Sequence, residues 1–402
     1  MILIVGAGIS GITLARHLLN HNVQFRIFDQ SLAERPQGFG LTIREATIPK
    51  LLELVGIDEI HFRKAVAVDR NHGSYSSFLT NLVTGEHYGA GAYSSGYSKD
   101  FRSNRERLRK MIQGDVKVEF GFKLVNFEMH RTGVTAEFAN GIKVEGTLLV
   151  AADGVHSFIR RTVLPKAIPH DWPAVFFNGS YRMSLQDFER TLQPSMGDST
   201  VQIGLGDNLL AGIMLYDVDR KSGIVELSWG YSRRKRGEND ALFAPYAGRH
   251  DKTIAPPQLW QELADLPHPL VEPFRSVFVI PDINTNSVIH HQLVSLLILR
   301  EDLSEVLEKH KVVFAGDSVH DWTNHAGTSA NTAIIDAITL GEIIVEGGNV
   351  ESYYERRHPT WQKAYDHNAE DFEALHRPQE EWDRLFRVQR MAQQEQNVRE
   401  RL

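Results

Sequence analysis

The sequence of 402 residues contains no cysteine. This absence excludes disulfide bonds, a thiolate nucleophile, cysteine-ligated zinc and iron–sulfur clusters. It also removes the usual indication of an oxidising compartment. The adjacent pair His290 and His291 has no carboxylates at metal-ligand spacing, so we predict no metal site.

Long apolar runs and long basic runs are missing as well. The longest apolar run, Leu293–Leu299, contains a serine and is far shorter than the ~20 residues of a membrane helix. The chain has 44 Lys and Arg against 51 Asp and Glu, a formal net charge of −7, which disfavours a nucleic-acid-binding surface. No basic region precedes the apolar start MILIV, so it does not resemble a signal peptide. We therefore expect a soluble, cytoplasmic protein without a transmembrane segment.

The composition is that of a globular protein, with 42% hydrophobic and 24% charged residues. At roughly 150 residues per domain, the length indicates two or three domains. The first 29 residues already predict one complete strand–helix–strand unit. Ile2–Val5 is typical of a buried parallel strand, residues 12–22 have the apolar spacing of a helix, and Val23–Phe28 alternates as a second strand.

The turn between the first strand and the helix carries three glycines, Gly6, Gly8 and Gly11. The first permits a tight turn, the second lets a pyrophosphate approach the backbone, and the third lets the helix pack on the strand. The pyrophosphate then meets the positive end of the helix. Asp29 follows the second strand, 18 residues after Gly11, where it can bind a ribose. This arrangement predicts a dinucleotide-binding site.

Two more acidic motifs follow apolar strands later in the chain. Asp153–Arg160 (DGVHSFIR) comes after the strand predicted at 147–152. Asp317 comes after the strand predicted at 311–315, with His320 three residues further on. Because ligands bind at the carboxyl ends of the strands in such sheets, we expect these carboxylates to face one crevice.

These three motifs in this order, together with Arg105-x-x-Leu108 and the segment Gly38–Ile43 (GFGLTI), resemble the class A flavoprotein monooxygenases. The resemblance covers residues 1 to about 360. It implies the p-hydroxybenzoate hydroxylase fold, which is an α/β fold. A Rossmann-like FAD-binding domain would be interleaved with an antiparallel-sheet substrate domain, followed by C-terminal helices.

We expect three regions on this basis, and alternating runs between 165 and 281 support an antiparallel sheet there. The apolar stripe from Trp361 to Leu375 predicts an amphipathic helix that packs within the chain or, as the alternative, forms a dimer interface, and the protein is expected to be a monomer or homodimer. The predicted bounds are 1–72, 100–165 and 282–345 for the FAD-binding domain, 73–99 and 166–281 for the substrate-binding β-sheet domain, and 346–402 for a C-terminal helical tail.

The resemblance also implies roles for individual residues. Asp29 would hold the adenosine ribose, Arg105 would lie beside the pyrophosphate and ribityl chain, and Asp317 would bind ribityl hydroxyls. Asp153 would support the pyrophosphate region and the access of NADPH. The complete predicted FAD-binding set is Gly6, Gly8, Gly11, Asp29, Gly40, Arg105, Asp153, Asp317, Gly327 and Asn331.

Three residues are candidates for catalysis. Arg182 and Tyr216 lie on predicted strands of the second domain, and related fungal enzymes use an Arg and a Tyr at broadly similar places. The alternative for Arg182 is an ordinary surface charge on a sheet. His320, like His325, flanks the flavin loop and could move a proton near neutral pH; the alternative for both is a structural role.

The resemblance implies an FAD-dependent, NAD(P)H-consuming monooxygenase. It would insert one oxygen atom into a small aromatic or polycyclic substrate, of the kind found in secondary metabolism, through a flavin C4a-hydroperoxide. NADPH would be a transient co-substrate and molecular oxygen the second. The helix from about Ala330 would point its N-terminus at the flavin pyrimidine ring, where its dipole stabilises negative charge.

The loop before this helix departs from the family pattern GDxxHxxxPxxGxGxN. Asn324 replaces the proline and Ser329 replaces the second glycine, whereas Gly327 and Asn331 remain. That proline lies near the position at which oxygen reacts, so one alternative is an FAD enzyme with an oxygen-independent reaction, either dehydrogenation or non-redox catalysis. A second alternative, from another class, is a non-enzymatic flavin-binding or regulatory protein.

Overall fold

The computed structural model describes residues 1–33, 39–71, 73, 77–90, 99–244, 255–266, 270–278, 288–323 and 327–388. The chain forms two compact units, and each is assembled from three separate stretches of sequence. Unit 1 comprises Met1–Ala67, Ser103–Asp171 and Val294–Ala369. Unit 2 comprises Val68–Arg102, Trp172–Leu293 and Glu370–Leu402.

The strands, in chain order, are β1 (Ile2–Val5), β2 (Phe25–Asp29), β3 (Gly40–Ile43), β4 (Ser77–Asn81), β5 (His87–Ala90), β6 (Phe101–Asn104), β7 (Val118–Phe120), β8 (Leu124–His130), β9 (Gly133–Phe138), β10 (Lys143–Gly146), β11 (Leu148–Ala151), β12 (His170–Asp171), β13 (Ala174–Ser184), β14 (Val201–Gly206), β15 (Leu209–Asp219), β16 (Ile224–Arg234), β17 (Ile289–His291), β18 (Val294–Leu297), β19 (Val312–Phe314) and β20 (His320–Asp321). The α-helices are α1 (Ile9–Asn20), α2 (Ile48–Val55), α3 (Glu59–Val66), α4 (Arg105–Gln113), α5 (Phe158–Val163), α6 (Leu185–Thr191), α7 (Gln193–Met196), α8 (Pro257–Ala264), α9 (Phe274–Phe278), α10 (Arg300–His310), α11 (Ser329–Val345) and α12 (Glu351–Leu375). A further helix covers 379–388.

The centre of unit 1 is a five-stranded sheet in the order β19-β11-β1-β2-β7. All four pairs of neighbours are parallel. Every residue of β1, β11 and β19 is buried, as expected for a parallel sheet that helices cover on both faces. Helix α1 packs against both α4 and α11. The α/β organisation predicted from the motifs is therefore present, and the carboxyl ends of β1, β2, β11 and β19 share one edge.

Unit 2 is built on a seven-stranded sheet in the order β17-β13-β16-β15-β14-β4-β5. Its strands pair antiparallel, except that β14 and β4 run parallel. The three longest strands, β13, β15 and β16, have 11 residues each. Their apolar side chains form a core that includes the completely buried Phe177 and Trp229.

The sequence predicts a C-terminal helical tail over 346–402, and those bounds stay a prediction. Residues up to Ala369 belong to unit 1 and those from Glu370 belong to unit 2. In unit 1, Trp361 is completely buried. In unit 2, Trp382 and Phe386 pack in a cluster with Leu205. Within the described residues, this segment therefore contributes buried apolar side chains to the cores of both units.

A buried histidine follows α12 in unit 2. His376 is completely inaccessible. Its Nδ1 lies 3.0 Å from the Phe372 carbonyl oxygen, and its Nε2 lies 2.8 Å from Ser232 Oγ. Nδ1–H therefore donates to the carbonyl and Nε2 accepts from the hydroxyl. Burial lowers the pKa of His376 from 6.5 to about 4.

This shift predicts how stability depends on pH. Between pH 6.5 and 4 the unfolded chain binds a proton at His376 that the folded chain does not, so the free energy of unfolding falls as the pH falls, by about 3 kcal/mol in total. The His376→Gln variant is expected to lose this part of the dependence. Urea unfolding of both proteins across that pH range checks this prediction. If the free energy of unfolding changed equally with pH in wild type and variant, the pH dependence would not come from His376.

Within the residues that the structure describes, no helix combines the length and apolar character needed to cross a membrane.

Candidate active site

The glycine-rich turn lies between β1 and α1. A Cβ at Gly6, whose φ is +104°, would come within 2.2 Å of the Ala152 carbonyl oxygen, and a Cβ at Gly11 would come within 2.0 Å of the Gly6 carbonyl oxygen. Gly8 differs, because a Cβ there would meet nothing within 4 Å. Gly6 and Gly11 are thus required for packing inside the protein, whereas the face of Gly8 is open to a ligand.

Helix α1 begins immediately after Gly8. Among the residues that the structure describes, no side chain caps its N-terminus, and its first turn contains no acidic residue. Its backbone N–H groups and its dipole are therefore available to an anion. This is the setting in which a pyrophosphate binds.

Asp29 ends β2 beside the glycine-rich turn. Its Oδ2 accepts a hydrogen bond from Ala7 N at 2.9 Å and its Oδ1 accepts one from Ser31 N at 2.8 Å. These two bonds fix the carboxylate at the edge of the sheet. Because each carboxylate oxygen accepts more than one hydrogen bond, Asp29 can still bind ribose hydroxyls.

Arg105 is the first residue of α4, and Asp317 lies on a 3-10 turn over Gly316–Ser318. Arg105 Nε is inaccessible and has no hydrogen-bond partner. Burial lowers the pKa of Arg105, while the charge of Asp317 acts in the opposite direction. Burial likewise raises the pKa of Asp317, against the charges of His320 and Arg105. The fold therefore brings these two predicted residues together.

Asp153 follows β11 and organises the turn before α5. Its Oδ2 accepts hydrogen bonds from Phe158 N at 2.8 Å and Ile159 N at 3.3 Å, while its Oδ1 is buried and has no partner. Burial raises the pKa of Asp153, and these hydrogen bonds oppose the rise. Arg160 of the same motif is completely buried and donates to the Ser318 carbonyl oxygen at 3.0 Å. The motif thus supports the turn that carries Asp317; the predicted role of Asp153 toward NADPH stays a prediction.

Asn331, in the first turn of α11, forms hydrogen bonds between its side chain and the backbone of neighbouring segments. Its Oδ1 accepts from Arg44 N at 2.9 Å, and its Nδ2 lies 2.8 Å from the Thr42 carbonyl oxygen and 3.3 Å from that of Gly327. It therefore fastens α11 to β3, which begins at the buried Gly40. Gly38, Asn324 and His325 lie outside the described residues.

His320, for which the sequence predicts either proton transfer or a structural role, lies in the interior of unit 1. It is completely buried, its Nε2 lies 2.6 Å from Asp336 Oδ2, and its ring stacks on Trp322 at 4.7 Å between centroids. Asp336 Oδ1 accepts from Arg357 Nε at 2.7 Å and from Trp361 Nε1 at 2.9 Å. These contacts enclose the ring of His320; its predicted role in proton transfer, like the alternative of a structural role, stays a prediction.

Asp336, to which His320, Arg357 and Trp361 hydrogen-bond, is not among the residues predicted from the sequence. Burial alone would raise the pKa of its carboxyl, but the charges and hydrogen bonds of His320 and Arg357 outweigh burial and lower it. The available signal was an acidic residue in the middle of the apolar helix that follows Ser329. Such a residue is either exposed or paired, and in this fold it is paired.

The two candidates in unit 2 have contrasting surroundings. Arg182 on β13 is 65% exposed and its Nε lies 3.7 Å from Glu226 Oε1 on β16, which is a solvated cross-strand ion pair. Tyr216 on β15 is half-buried and lies where the pairing with β16 shifts between Leu215 and Asp217. Such irregularities redirect side chains. The predicted actions of both residues on substrate stay predictions.

The groups gathered in unit 1 fit FAD. The buried polar atoms without a hydrogen-bond partner in the described part of unit 1 include Ser10 Oγ, Arg105 Nε and Asp153 Oδ1. Gly8 leaves open space, and the N-terminus of α1 and Arg105 supply positive character for a pyrophosphate. Asp29 and Asp317 supply hydrogen-bond acceptors for the ribose and ribityl hydroxyls on the two sides of the pyrophosphate.

Comparison with known proteins agrees with this geometry. A family model described as "FAD binding domain" matches residues 1–171. The FAD-dependent monooxygenase nscC of Trichophyton rubrum is 32% identical over 96% of each chain. Solved structures that share the fold include the following two. Klebsiella pneumoniae HpxO complexed with FAD and uric acid has a TM-score of 0.72 at 16% identity, over 96% of this chain and 92% of that one. The 2,6-dihydroxypyridine-3-hydroxylase of Arthrobacter nicotinovorans has a TM-score of 0.70 at 19% identity, over 90% and 89%.

The identity of about one third with nscC extends over nearly the whole of both chains. The alternative of a non-enzymatic flavin-binding protein is therefore excluded. This chain belongs to the class A FAD-dependent monooxygenases.

Proposed function

We propose that the enzyme uses NADPH as a transient co-substrate and molecular oxygen to insert one oxygen atom into a small aromatic or polycyclic metabolite. The observation that carries the proposal is the dinucleotide site at the carboxyl edge of the parallel sheet in unit 1, in a chain related throughout its length to FAD-dependent monooxygenases. When bound there, FAD would supply the electron transfer and the activation of oxygen, while the protein binds, orients and excludes water.

Each end of the proposed FAD site has its own carboxylate. Asp29 would bind the adenosine ribose, because it is already fixed beside the glycine-rich turn by Ala7 N. Asp317 would bind the ribityl hydroxyls, and Arg105 would offset the negative charge of the pyrophosphate next to it. Gly8 would allow the pyrophosphate to reach the backbone N–H groups of α1.

Helix α11 would serve the flavin ring through its N-terminus. Its first turn holds no acidic residue, so its partial positive charge is not offset locally. Trp322 Nε1 donates to Thr328 Oγ1 at 2.9 Å, which ties the segment after His320 to the start of the helix. Fixed dipoles at this position would stabilise negative charge on the pyrimidine side of the ring.

Support for the substrate class comes from the proteins of the same fold. The structure of HpxO was solved with uric acid, and the Arthrobacter enzyme is a hydroxylase of a dihydroxypyridine. Both compounds are small, planar and built on rings. We extend this class, without a particular compound, to the present enzyme.

Oxygen labelling tests the proposal. Aromatic and polycyclic phenols that accelerate NADPH consumption are incubated under ¹⁸O₂ in ordinary water, and in parallel under ordinary oxygen in H₂¹⁸O. We expect one labelled atom in the product from the gas and none from the water. A product that forms equally fast without oxygen would contradict the proposal and would favour dehydrogenation or non-redox catalysis.

A further inference from the structure

We propose that Arg109 is a second cation of the pyrophosphate site and lies at its adenosine end. None of the motifs that resemble the family includes this residue. The inference depends on the placement of FAD proposed above, and its test separates a failure of that placement from a failure of the role of Arg109.

The first support is the position of Arg109 against the glycine-rich turn. Arg109 is half-buried, and its Nε donates to the Ala7 carbonyl oxygen at 3.3 Å. The N–H group of the same Ala7 donates to Asp29, the expected ribose ligand. The guanidinium therefore lies beside the backbone that the adenosine half of FAD would approach.

The second support is that Arg105 and Arg109 place two positive charges on the same face of α4. Residues four apart on a helix are neighbours, and like charges at this spacing destabilise the helix. The two side chains do interact, since the charge of Arg109 contributes to the lowered pKa of Arg105, after the larger effects of burial and Asp317. A bound dianion would relieve this repulsion, and the N-terminus of α1, which packs against α4, adds positive character to the same place.

The third support is the direction of α4. Arg105 interacts with Asp317, the expected ribityl ligand, while Arg109 contacts the turn that holds Asp29, the expected ribose ligand. In FAD the pyrophosphate joins the ribityl chain to the ribose. Because α4 runs from the Asp317 side of the site toward the Asp29 side, the pyrophosphate would lie between the guanidiniums of Arg105 and Arg109. Each guanidinium has planar donors suited to phosphate oxygens.

The test measures ligand affinity rather than activity. FAD is titrated into the apoprotein of wild type, Arg109→Gln, Arg109→Lys and Arg105→Gln, and quenching of flavin fluorescence gives Kd. Glutamine retains a donor for the Ala7 carbonyl but loses the charge, whereas lysine retains the charge. The matched control is Lys110→Gln, which removes one charge from the exposed side of α4, where Lys110 pairs with Glu106 at 2.7 Å.

We expect Arg109→Gln to raise the Kd for FAD at least tenfold, Arg109→Lys to raise it less, and Lys110→Gln to leave it within twofold. Competition by ADP should weaken in Arg109→Gln, whereas competition by adenosine, which lacks phosphates, should not. Thermal melting of each apoprotein verifies that the variants fold.

An unchanged Kd in Arg109→Gln, together with a raised Kd in Arg105→Gln, would show that Arg109 does not bind the pyrophosphate. Its role would then be limited to the hydrogen bond with the Ala7 carbonyl oxygen. Unchanged affinity in both variants would overturn the placement of the pyrophosphate itself.

Discussion

Replacement of Asp336 with leucine is expected to lower the free energy of unfolding by about 3–5 kcal/mol, because it breaks a buried ion pair and leaves its partners without an acceptor. Asp336 is completely buried and accepts hydrogen bonds from His320, Arg357 and Trp361. Leucine has the same branched shape and the same number of side-chain heavy atoms but satisfies none of these donors. The cost therefore comes from unpaired polar groups rather than from a cavity.

The matched control is Glu342→Gln on the same helix. Glu342 pairs with Lys50 at 2.8 Å, but both side chains are substantially exposed, at 33% and 45%. Surface pairs of this kind contribute less than about 1 kcal/mol. Urea unfolding followed by tryptophan fluorescence compares the two variants with wild type, and Trp322 and Trp361 report directly on this cluster. An Asp336→Leu protein within about 1 kcal/mol of the control would show that the buried carboxylate does not stabilise the fold in this way.

The substitution Gly8→Val is expected to leave the apoprotein folded and to weaken FAD binding about 100-fold, equivalent to about 3 kcal/mol. The backbone at Gly8 has φ −70° and ψ −174°, which suits any residue, and a Cβ there has no neighbour within 4 Å. The added side chain would instead occupy the space through which the pyrophosphate reaches the backbone. Loss of affinity would thus report on the ligand and not on the fold.

Two further variants separate the effect on the ligand from an effect on the fold. Gly8→Ala should weaken FAD binding by a smaller factor, since it adds only one carbon atom. Gly11→Ala should lower the melting temperature of the apoprotein, because its Cβ would come within 2.0 Å of the Gly6 carbonyl oxygen. Melting curves and FAD titrations of all three proteins check the pattern. FAD binding by Gly8→Val as tight as that of wild type would contradict the proposed position of the pyrophosphate.

Much of unit 1 could be predicted from local signals. The strand at Ile2–Val5 was predicted with the observed bounds, and the helix and second strand that follow agree to within a few residues. Apolar β-branched runs that end at glycine define such strands without reference to the rest of the chain. The juxtaposition of Arg105 and Asp317 was implied by the family resemblance, and the parallel order of the strands accounts for Asp317 lying at the carboxyl edge of the sheet.

The parts that could not be predicted depend on packing between distant segments. Asp336, the hydrogen-bond partner of His320, lies 16 residues away on α11, and Trp361, which donates to the same carboxylate, lies on α12. No spacing rule places these residues against one another. The same limitation applies to Arg182, whose cross-strand partner Glu226 becomes evident only when β13 and β16 pair. Arg109 follows Arg105 by one helical turn, but its contact with Ala7 requires α4 to pack against α1.

The central claim is that FAD binds across the glycine-rich turn, the start of α4 and the turn that carries Asp317. Hydrogen–deuterium exchange of the full-length protein with and without one equivalent of FAD tests it most directly, since bound ligand slows the exchange of the backbone it contacts. We predict slower exchange in peptides over 6–13, 103–111 and 314–322 when FAD is bound. FAD bound at one per chain with unchanged exchange in all three peptides, and protection elsewhere, would contradict the account.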